Sequence, residues 1–210
     1  MRSYLPPPPA VTLEIGCGRL GGFVPQLRAD GYQAIGIDPV APEGASYRSV
    51  EFEHSDLPQA LEGVIACTSL HHVAEPGAVL EKVADALAPA GVVIVVEWDW
   101  EGFDEATAHW CFERLGSQRE SWLDHRRDEW RASGQKWEHY LRRWAAEHGL
   151  HSARRLVRDL DLRFERVHCD RGPYFFTELN DISEADELDA INAGQIQAVR
   201  IDYVGRVSWS

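Results

Sequence analysis

Short apolar runs alternate with amphipathic segments along the first half of the chain. Val11–Ile15 is apolar, residues 16–22 are rich in glycine, and residues 23–29 are amphipathic. That order predicts a buried strand, a tight loop and a helix. The same patterns predict further strands at 32–38, 47–52, 63–69 and 92–97, and a helix at 76–87. Alternating strands and helices predict an α/β fold with a doubly wound parallel sheet.

The second half differs from the first in composition and in the spacing of its apolar residues. Residues 98–149 are rich in Trp, Arg, Glu and His, with helical patterning throughout. Helices are predicted at 104–115, 120–132, 136–148, 152–160 and 184–193, and closing strands at 164–168 and 198–207. Most of the aromatic side chains would pack helices against the sheet, and the others are candidates for lining a pocket.

The glycine cluster makes the first strand-to-helix turn a candidate ligand site. Glycine is needed where the backbone takes positive φ or approaches a ligand closely, and free N–H groups face outward at a helix start. Asp38 ends the second predicted strand, where a carboxylate can accept hydrogen bonds from ribose hydroxyls. These features predict a nucleotide-type ligand. An ordinary strand-to-helix turn at 16–22, and a plain turn at Asp38-Pro39, are the alternatives.

Composition narrows the class of protein. The 210 residues suit one domain with an insertion, and the net charge of -13 disfavours nucleic acid and anionic membranes as partners. No apolar stretch is long enough to span a bilayer, and residues 1–10 do not have the pattern of a signal peptide. The cysteines Cys17, Cys67, Cys111 and Cys169 lack metal-ligand spacing. Reduced thiols in a cytoplasmic protein are therefore expected.

Several motifs together resemble a known family. Leu-Glu-Ile-Gly-Cys-Gly at 13–18, Gly-Ile-Asp at 36–38, Thr-Ser-Leu-His-His-Val at 68–73 and Leu-Ala-Pro-Ala-Gly at 87–91 occur in its order and spacing. The chain resembles class I S-adenosylmethionine (SAM)-dependent methyltransferases, of the compact kind that modifies small molecules, which indicates small-molecule or secondary metabolism. The resemblance implies a Rossmann-like seven-stranded sheet with an antiparallel last strand. It divides the chain into a SAM-binding half (1–97), a helical lid over the acceptor (98–160) and closing strands (161–210).

The resemblance also implies which residues bind the cofactor, with S-adenosylhomocysteine as product and no metal. The cofactor-binding candidates are Glu14, Gly16, Cys17, Gly18, Gly21, Asp38, Pro39, Glu53, His54 and Thr68. In the family, the acid at the position of Glu14 orients the amino-acid end of the ligand. One departure is Leu20, which stands where the family loop usually has a third glycine.

The catalytic candidates are His71, His72 and Glu97. A hydroxyl acceptor must lose a proton, and histidine titrates close to neutral pH. We expect His71 to be the base, Glu97 to orient it, and His72 to point into packing. The alternative is that both histidines only cap the strand. No pair of Asp residues stands ready for magnesium, and no Asn/Asp-Pro-Pro-aromatic motif for nucleobase amines is present. We therefore expect a small-molecule acceptor, methylated on a hydroxyl or carboxyl oxygen, and a monomer or homodimer.

Two other functions fit parts of the same pattern. Residues 16–21 spell GxGxxG, which also occurs in NAD-binding oxidoreductases. Glu14 argues against NAD, since dinucleotide folds usually keep an apolar residue there. A protein of this fold could also bind SAM without transferring methyl, as a cyclase, a lyase or a binding partner.

Overall fold

A computed structural model describes residues 2–116 and 121–207 of the chain. Within these residues, seven strands form one sheet in the order β3-β2-β1-β4-β5-β7-β6. The strands are β1 Val11–Ile15, β2 Gln33–Asp38, β3 Tyr47–Ser49, β4 Leu61–Cys67, β5 Leu87–Trp98, β6 Phe164–Gly172 and β7 Arg200–Val207. Strands β1 to β5 pair in parallel, and the last strands are antiparallel. The predicted fold class is confirmed.

The helices follow the predicted periodicity within a few residues. They are α1 Val24–Ala29, α2 Pro76–Ala86, α3 Glu105–Phe112, α4 Trp122–Ser133, α5 Trp137–Glu147, α6 Ala153–Asp161 and α7 Glu184–Asn192. The predicted start of the fourth helix at Glu120 lies outside the described residues. Helix α4 begins with a capping box between Ser121 and Asp124, an arrangement that satisfies N–H groups at a helix start.

Two apolar clusters cover the two faces of the sheet. On one face, Val79 and Val83 from α2 and Leu156 from α6 pack with Leu13 and Val93. On the other face, α1 contributes Val24 and Leu27, which pack with strand residues of β2, β4 and β5. Burying each such side chain contributes about 1.5–3 kcal/mol. The inner strands β1, β4 and β5 are therefore rigid supports for the loops at their carboxyl ends.

Several strands differ in extent from the sequence prediction: β4 lies two residues earlier than predicted, β6 continues to Gly172, and β3 and β5 differ as follows. β3 ends at Ser49, and the chain then forms a 3-10 turn at Phe52–His54 instead of continuing the strand. β5 begins already at Leu87, because Leu61 pairs with Leu87 before an irregularity shifts the register to Gly63–Val92. Ala90 takes a positive φ of 63° within this stretch. Local periodicity cannot reveal such a bulge, since it depends on the partner strand.

The described residues divide into two compact units. The first comprises residues up to 97, 154–170 and those from 202 on, and it contains nearly all of the sheet. The second comprises described residues within 98–153 and 171–201 and has its own, largely aromatic core. Trp137 is fully buried there and donates its Nε1–H to the Phe103 carbonyl at 2.6 Å. The role of residues 98–160 as a lid stays a prediction.

Across the part of the chain that the structure describes, no helix is long and apolar enough to cross a membrane. The same residues contain no cluster of three or more His, Cys, Asp or Glu side chains that could bind a metal ion. All four cysteines are free thiols.

A buried carboxylate in the second unit generates a stability prediction. Glu187 is fully buried and accepts hydrogen bonds from the backbone N–H groups of Tyr174, Phe175 and Phe176 at 2.7, 3.1 and 2.7 Å. Glu187→Gln places an amide NH₂ against these donors. We expect it to lower the free energy of unfolding by about 1.5–3 kcal/mol.

Urea unfolding measures this loss, with Glu184→Gln as the matched control on the same helix. Glu184 is half-exposed and pairs with Arg200 at 2.9 Å, so its loss should cost less than about 1 kcal/mol. Equal effects of the two substitutions would contradict the structural role given to Glu187.

Candidate active site

The glycine loop after β1 is fastened to the end of β2. Gly16 N–H donates to the Ile37 carbonyl at 2.8 Å, and Gly18 N–H donates to Asp38 Oδ2 at 2.9 Å. Asp38 Oδ1 accepts from Val40 N–H at 2.8 Å. A carboxylate can accept about four hydrogen bonds, so Asp38 keeps capacity for further donors.

The ends of β1 and β4 approach each other at Gly16. Its φ is +80°, and a Cβ added there would overlap the side chain of Ser69. Ser69 Oγ in turn donates to the Ile15 carbonyl at 2.9 Å. Both the backbone conformation and the close approach therefore require glycine at position 16.

Glu14 lies beneath the loop. Its side chain is 2% exposed, and its Oε2 accepts from Phe23 N–H at 2.7 Å, just before α1. Burial raises the pKa of Glu14 from 4.5 to about 7. The charge of Asp38 raises the pKa further, and the N–H groups of Phe23 and Val24 oppose the rise. The Glu14 carboxyl thus stabilises the entry to α1 and changes charge near neutral pH.

A second buried carboxylate organises the turn after β4. Glu97, 1% exposed at the end of β5, accepts from Ser69 N–H at 2.9 Å and from Leu70 N–H at 2.7 Å. Its other oxygen, Oε2, lies 2.5 Å from Nδ1 of His71, which is also buried. A carboxylate at Nδ1 favours the tautomer with the proton on that nitrogen, which leaves Nε2 as the basic one.

The two histidines are neighbours in the 3-10 turn Leu70–His72 and differ in burial. Their ring centroids are 4.1 Å apart, with His71 buried and His72 exposed. The expectation that His72 points into packing is wrong, because its side chain lines a cavity. The contact with Glu97 holds the His71 ring inside, and the neighbouring His72 ring stays exposed.

That cavity has a volume of about 420 Å³ and lies at the carboxyl ends of β1, β2 and β4. Its lining residues are Ile15, Gly16, Ile37, Asp38, Pro39, Glu51, Phe52, Glu53, Thr68, Ser69, His72, Val73 and Ala74. Open parallel sheets bind ligands at this edge. Apolar walls with a few polar groups suit a nucleoside-sized ligand.

Thr68, on the cavity wall, has an unusual backbone. Its φ is +49°, although its N–H still donates to the Val96 carbonyl at 2.8 Å. A β-branched residue rarely adopts this conformation, and such outliers concentrate at functional sites. The end of β4 therefore keeps a backbone conformation that costs stability, which is typical of a functional site.

The structure brings together only part of the predicted site. Gly16, Asp38, Pro39, Glu53, Thr68 and His72 line the cavity. The remaining candidates, which are not among its lining residues, are Glu14, Cys17, Gly18, Gly21, His54, His71 and Glu97. His54 is largely exposed and pairs with Glu51 at 3.1 Å. Cys17 is buried, which raises the pKa of its thiol to about 11.

Sequence reasoning missed Phe52 and Ser69, which both line the cavity. Phe52 is the single apolar side chain of the stretch Glu51–His54, so its inward position could have been inferred from that polar surrounding. Ser69 stands inside the Thr-Ser-Leu-His-His motif, but its role depends on the close approach to Gly16, for which the sequence contains no local signal.

Comparison of the sequence with known proteins identifies relatives. A family model described as a methyltransferase domain matches residues 2–165. A ubiquinone biosynthesis O-methyltransferase of Rhodopseudomonas palustris is 31% identical over 106 residues, or 43% of this chain and 42% of that protein. The corresponding protein of a Bradyrhizobium species is 29% identical over 106 residues. The match thus spans less than half the length of these curated relatives.

Solved structures share the fold over almost the whole chain. A protein of Listeria monocytogenes, described as a SAM-dependent methyltransferase, has a TM-score of 0.60 at 14% identity and covers 99% of this chain and 95% of its own. The N-methyltransferase NodS of Bradyrhizobium japonicum, solved with S-adenosylhomocysteine, has a TM-score of 0.52 at 13% identity, covering 95% and 79%. The [4+2]-cyclase SpnF has a TM-score of 0.53 at 15% identity, covering 96% and 75%.

The loop geometry generates a prediction that separates two glycines. Gly16 and Gly18 both have positive φ, but an added Cβ meets Ser69 at Gly16 and nothing within 4 Å at Gly18. We expect Gly18→Ala to cost about 1–2 kcal/mol, the penalty of the left-handed backbone. Gly16→Ala should cost a further 1–3 kcal/mol or so from overpacking. Urea unfolding measures both, and equal losses would disprove the close approach.

The Glu14 carboxyl generates a pH prediction. Its pKa is higher in the folded chain, about 7, than its ordinary 4.5. The folded state therefore binds the proton more readily, and the contribution to stability is complete below pH 4.5 and is lost as the pH rises through about 7. Melting temperatures across this range should fall less steeply in Glu14→Gln than in the wild type. The exposed Glu81→Gln is the control, and parallel curves for all three proteins would refute the assignment.

Proposed function

The chain belongs to the methyltransferase domain family, and we propose that it transfers the methyl group of SAM to an oxygen of a small-molecule acceptor. The resemblance to class I SAM-dependent methyltransferases is thereby confirmed, and the family excludes the NAD-binding alternative. The observation that carries the proposal is the buried pair of Glu97 and His71, 2.5 Å apart, in the turn after β4.

Donor binding is supported by the cavity between the glycine loop and the turn after β4. We place the nucleoside of SAM there, with its ribose hydroxyls donating to the free lone pairs of Asp38. Ile37, Phe52 and Val73 supply apolar surface for the base. Glu14, a carboxyl that titrates near pH 7, lies under the loop, where it would respond to the ammonium group of the amino-acid end.

Acceptor activation is assigned to His71. Methyl transfer from a sulfonium is an in-line displacement, which needs alignment and removal of water. A hydroxyl acceptor also loses its proton, and Nε2 of His71 is the basic nitrogen when Glu97 accepts from Nδ1. This is the arrangement of a base with an orienting carboxylate. His72, on the cavity wall, is assigned to contact with the ligands rather than to proton transfer.

An oxygen acceptor is supported by two considerations. The base suits a hydroxyl acceptor, which must lose its proton on methylation, and the curated relatives carry the description O-methyltransferase. Structural neighbours also include enzymes that methylate nitrogen, as with NodS, and a cyclase. The cyclase is the basis for a second candidate, in which SAM is bound but its methyl group is kept.

Donor binding is tested with Asp38→Ala. Losing a carboxylate that accepts from a buried ligand costs about 1.5–3 kcal/mol, so affinity for S-adenosylhomocysteine should fall about ten-fold or more. Isothermal titration calorimetry measures the change, with the exposed Asp85→Ala on α2 as control. Unchanged affinity in Asp38→Ala would remove this carboxylate from the ribose.

Base catalysis is tested with His71→Asn. The Asn amide can still donate to Glu97, but it has no basic nitrogen. With an acceptor found by screening for S-adenosylhomocysteine release, kcat should fall about 10²–10⁴-fold while SAM affinity stays nearly unchanged. The ascending limb of the pH profile should disappear as well. His72→Asn should mainly raise KM.

Near-full turnover in His71→Asn would show that no base is required. If the wild type binds SAM tightly yet converts a substrate without releasing S-adenosylhomocysteine, the second candidate replaces methyl transfer.

A further inference from the structure

Two buried N–H donors belong to neighbouring side chains of the second unit. Arg126 of α4 has its guanidinium carbon 4.7 Å from the ring centroid of Trp144 in α5, and its side chain is only 12% exposed. Nη1 of Arg126 and Nε1 of Trp144 are both buried, and neither has a hydrogen-bond partner among the residues that the structure describes. Both atoms can only donate. Buried polar atoms are normally paired, so a missing acceptor is the simplest explanation.

The rest of the Arg126 head group is already fixed. Nη2 donates to Glu129 Oε1 at 2.9 Å, and Tyr140 donates its hydroxyl proton to Glu129 Oε2 at 3.0 Å. Burial raises the pKa of Tyr140 to about 12, which keeps that proton in place. The carboxylate of Glu129 is 55% exposed, so solvent weakens its neutralisation of the guanidinium charge. Nη2 of Arg126 is therefore fixed by Glu129, and the guanidinium lies over the Trp144 ring with no partner described for Nη1.

Aromatic rings surround the two donors. The Trp98 ring centroid is 5.2 Å from that of Trp122, 6.1 Å from that of Trp144, and 6.0 Å from that of Tyr174, with which it is stacked. Trp122, Trp144 and Tyr174 are only half-buried, so part of each ring remains accessible. Rings of this kind provide rigid apolar surface for a flat ligand. Trp98 directly follows Glu97 at the end of β5, so the aromatic cluster begins where that strand ends.

We propose that this cluster binds an aromatic carboxylic acid, whose carboxylate accepts from Arg126 Nη1 and Trp144 Nε1. A carboxylate offers two oxygens to two donors and balances the charge that Glu129 leaves uncompensated. In a chain of net charge -13, a guanidinium at the site offsets the net repulsion that an anion meets. Naming this acid the methyl acceptor rests on the proposed function, whereas the binding site itself does not.

The site is tested by titrating the full chain with 4-hydroxybenzoate, 4-hydroxycinnamate and indole-3-acetate, and with the neutral amide of each. Tryptophan fluorescence and calorimetry follow binding. At least one acid should bind about ten-fold more tightly than its amide, because only the acid pairs with the guanidinium. Arg126→Gln should remove this preference by weakening the acid alone.

Two further variants sharpen the test. Trp144→Phe deletes one N–H donor and retains an aromatic ring, so it should weaken the acid several-fold and the amide much less. Arg143→Gln is the control, since Arg143 is 47% exposed and also lies near an aromatic ring, 5.9 Å from the Tyr140 centroid. It should leave both affinities unchanged.

S-adenosylhomocysteine binding, measured on the same samples, separates this inference from the proposed function. Binding of S-adenosylhomocysteine without binding of any acid would overturn the carboxylate site and leave the proposed function standing. Acid binding that depends on Arg126, in a protein that does not bind S-adenosylhomocysteine, would overturn the proposed function and leave the carboxylate site standing. Equal affinities for acid and amide, or an unchanged preference for the acid in Arg126→Gln, would also overturn the carboxylate site.

Discussion

The carboxylate of Glu97 accepts the backbone N–H groups of Ser69 and Leu70 and contacts Nδ1 of His71. A carboxyl group so deeply buried is tolerated only when its oxygens accept hydrogen bonds, and three of its contacts here come from one turn. The conformation of that turn follows from this requirement. Ser69 is held against Gly16, Thr68 is forced to a positive φ, and His72 is left on the cavity wall.

Glu14 has a similar role at the end of β1: it is a buried carboxyl that accepts a hydrogen bond from the backbone N–H of Phe23. The two acids stand at the ends of strands that flank β4. Each one fixes a loop through backbone N–H groups, so the loops can carry small or flexible residues without losing their shape. The cavity between the loops is therefore preorganised by two side chains that do not line it.

The features that could be predicted from sequence depend on short-range patterns. The run Val11–Ile15 followed by glycines specifies strand, loop and helix locally, and Asp38 follows from the end of its strand. The exposed position of His72 on the cavity wall could not be predicted, because it depends on the contact between His71 and Glu97, 26 residues further along the chain. Phe52 was missed because residues 47–52 are predicted as one strand, whereas β3 ends early and a 3-10 turn brings the ring inward. The Arg126–Trp144 contact joins two helices whose packing no periodicity specifies.

The central claim is that the cavity beside the glycine loop holds the nucleoside of SAM. A crystal structure of the chain with S-adenosylhomocysteine tests this most directly. The account predicts ribose hydroxyl oxygens at about 2.5–3.0 Å from the Asp38 carboxylate. It also predicts the adenine ring against Phe52 and an unchanged contact between Glu97 and His71. A nucleoside bound elsewhere, or Asp38 bonded only to Gly18 and Val40 in the complex, would contradict it.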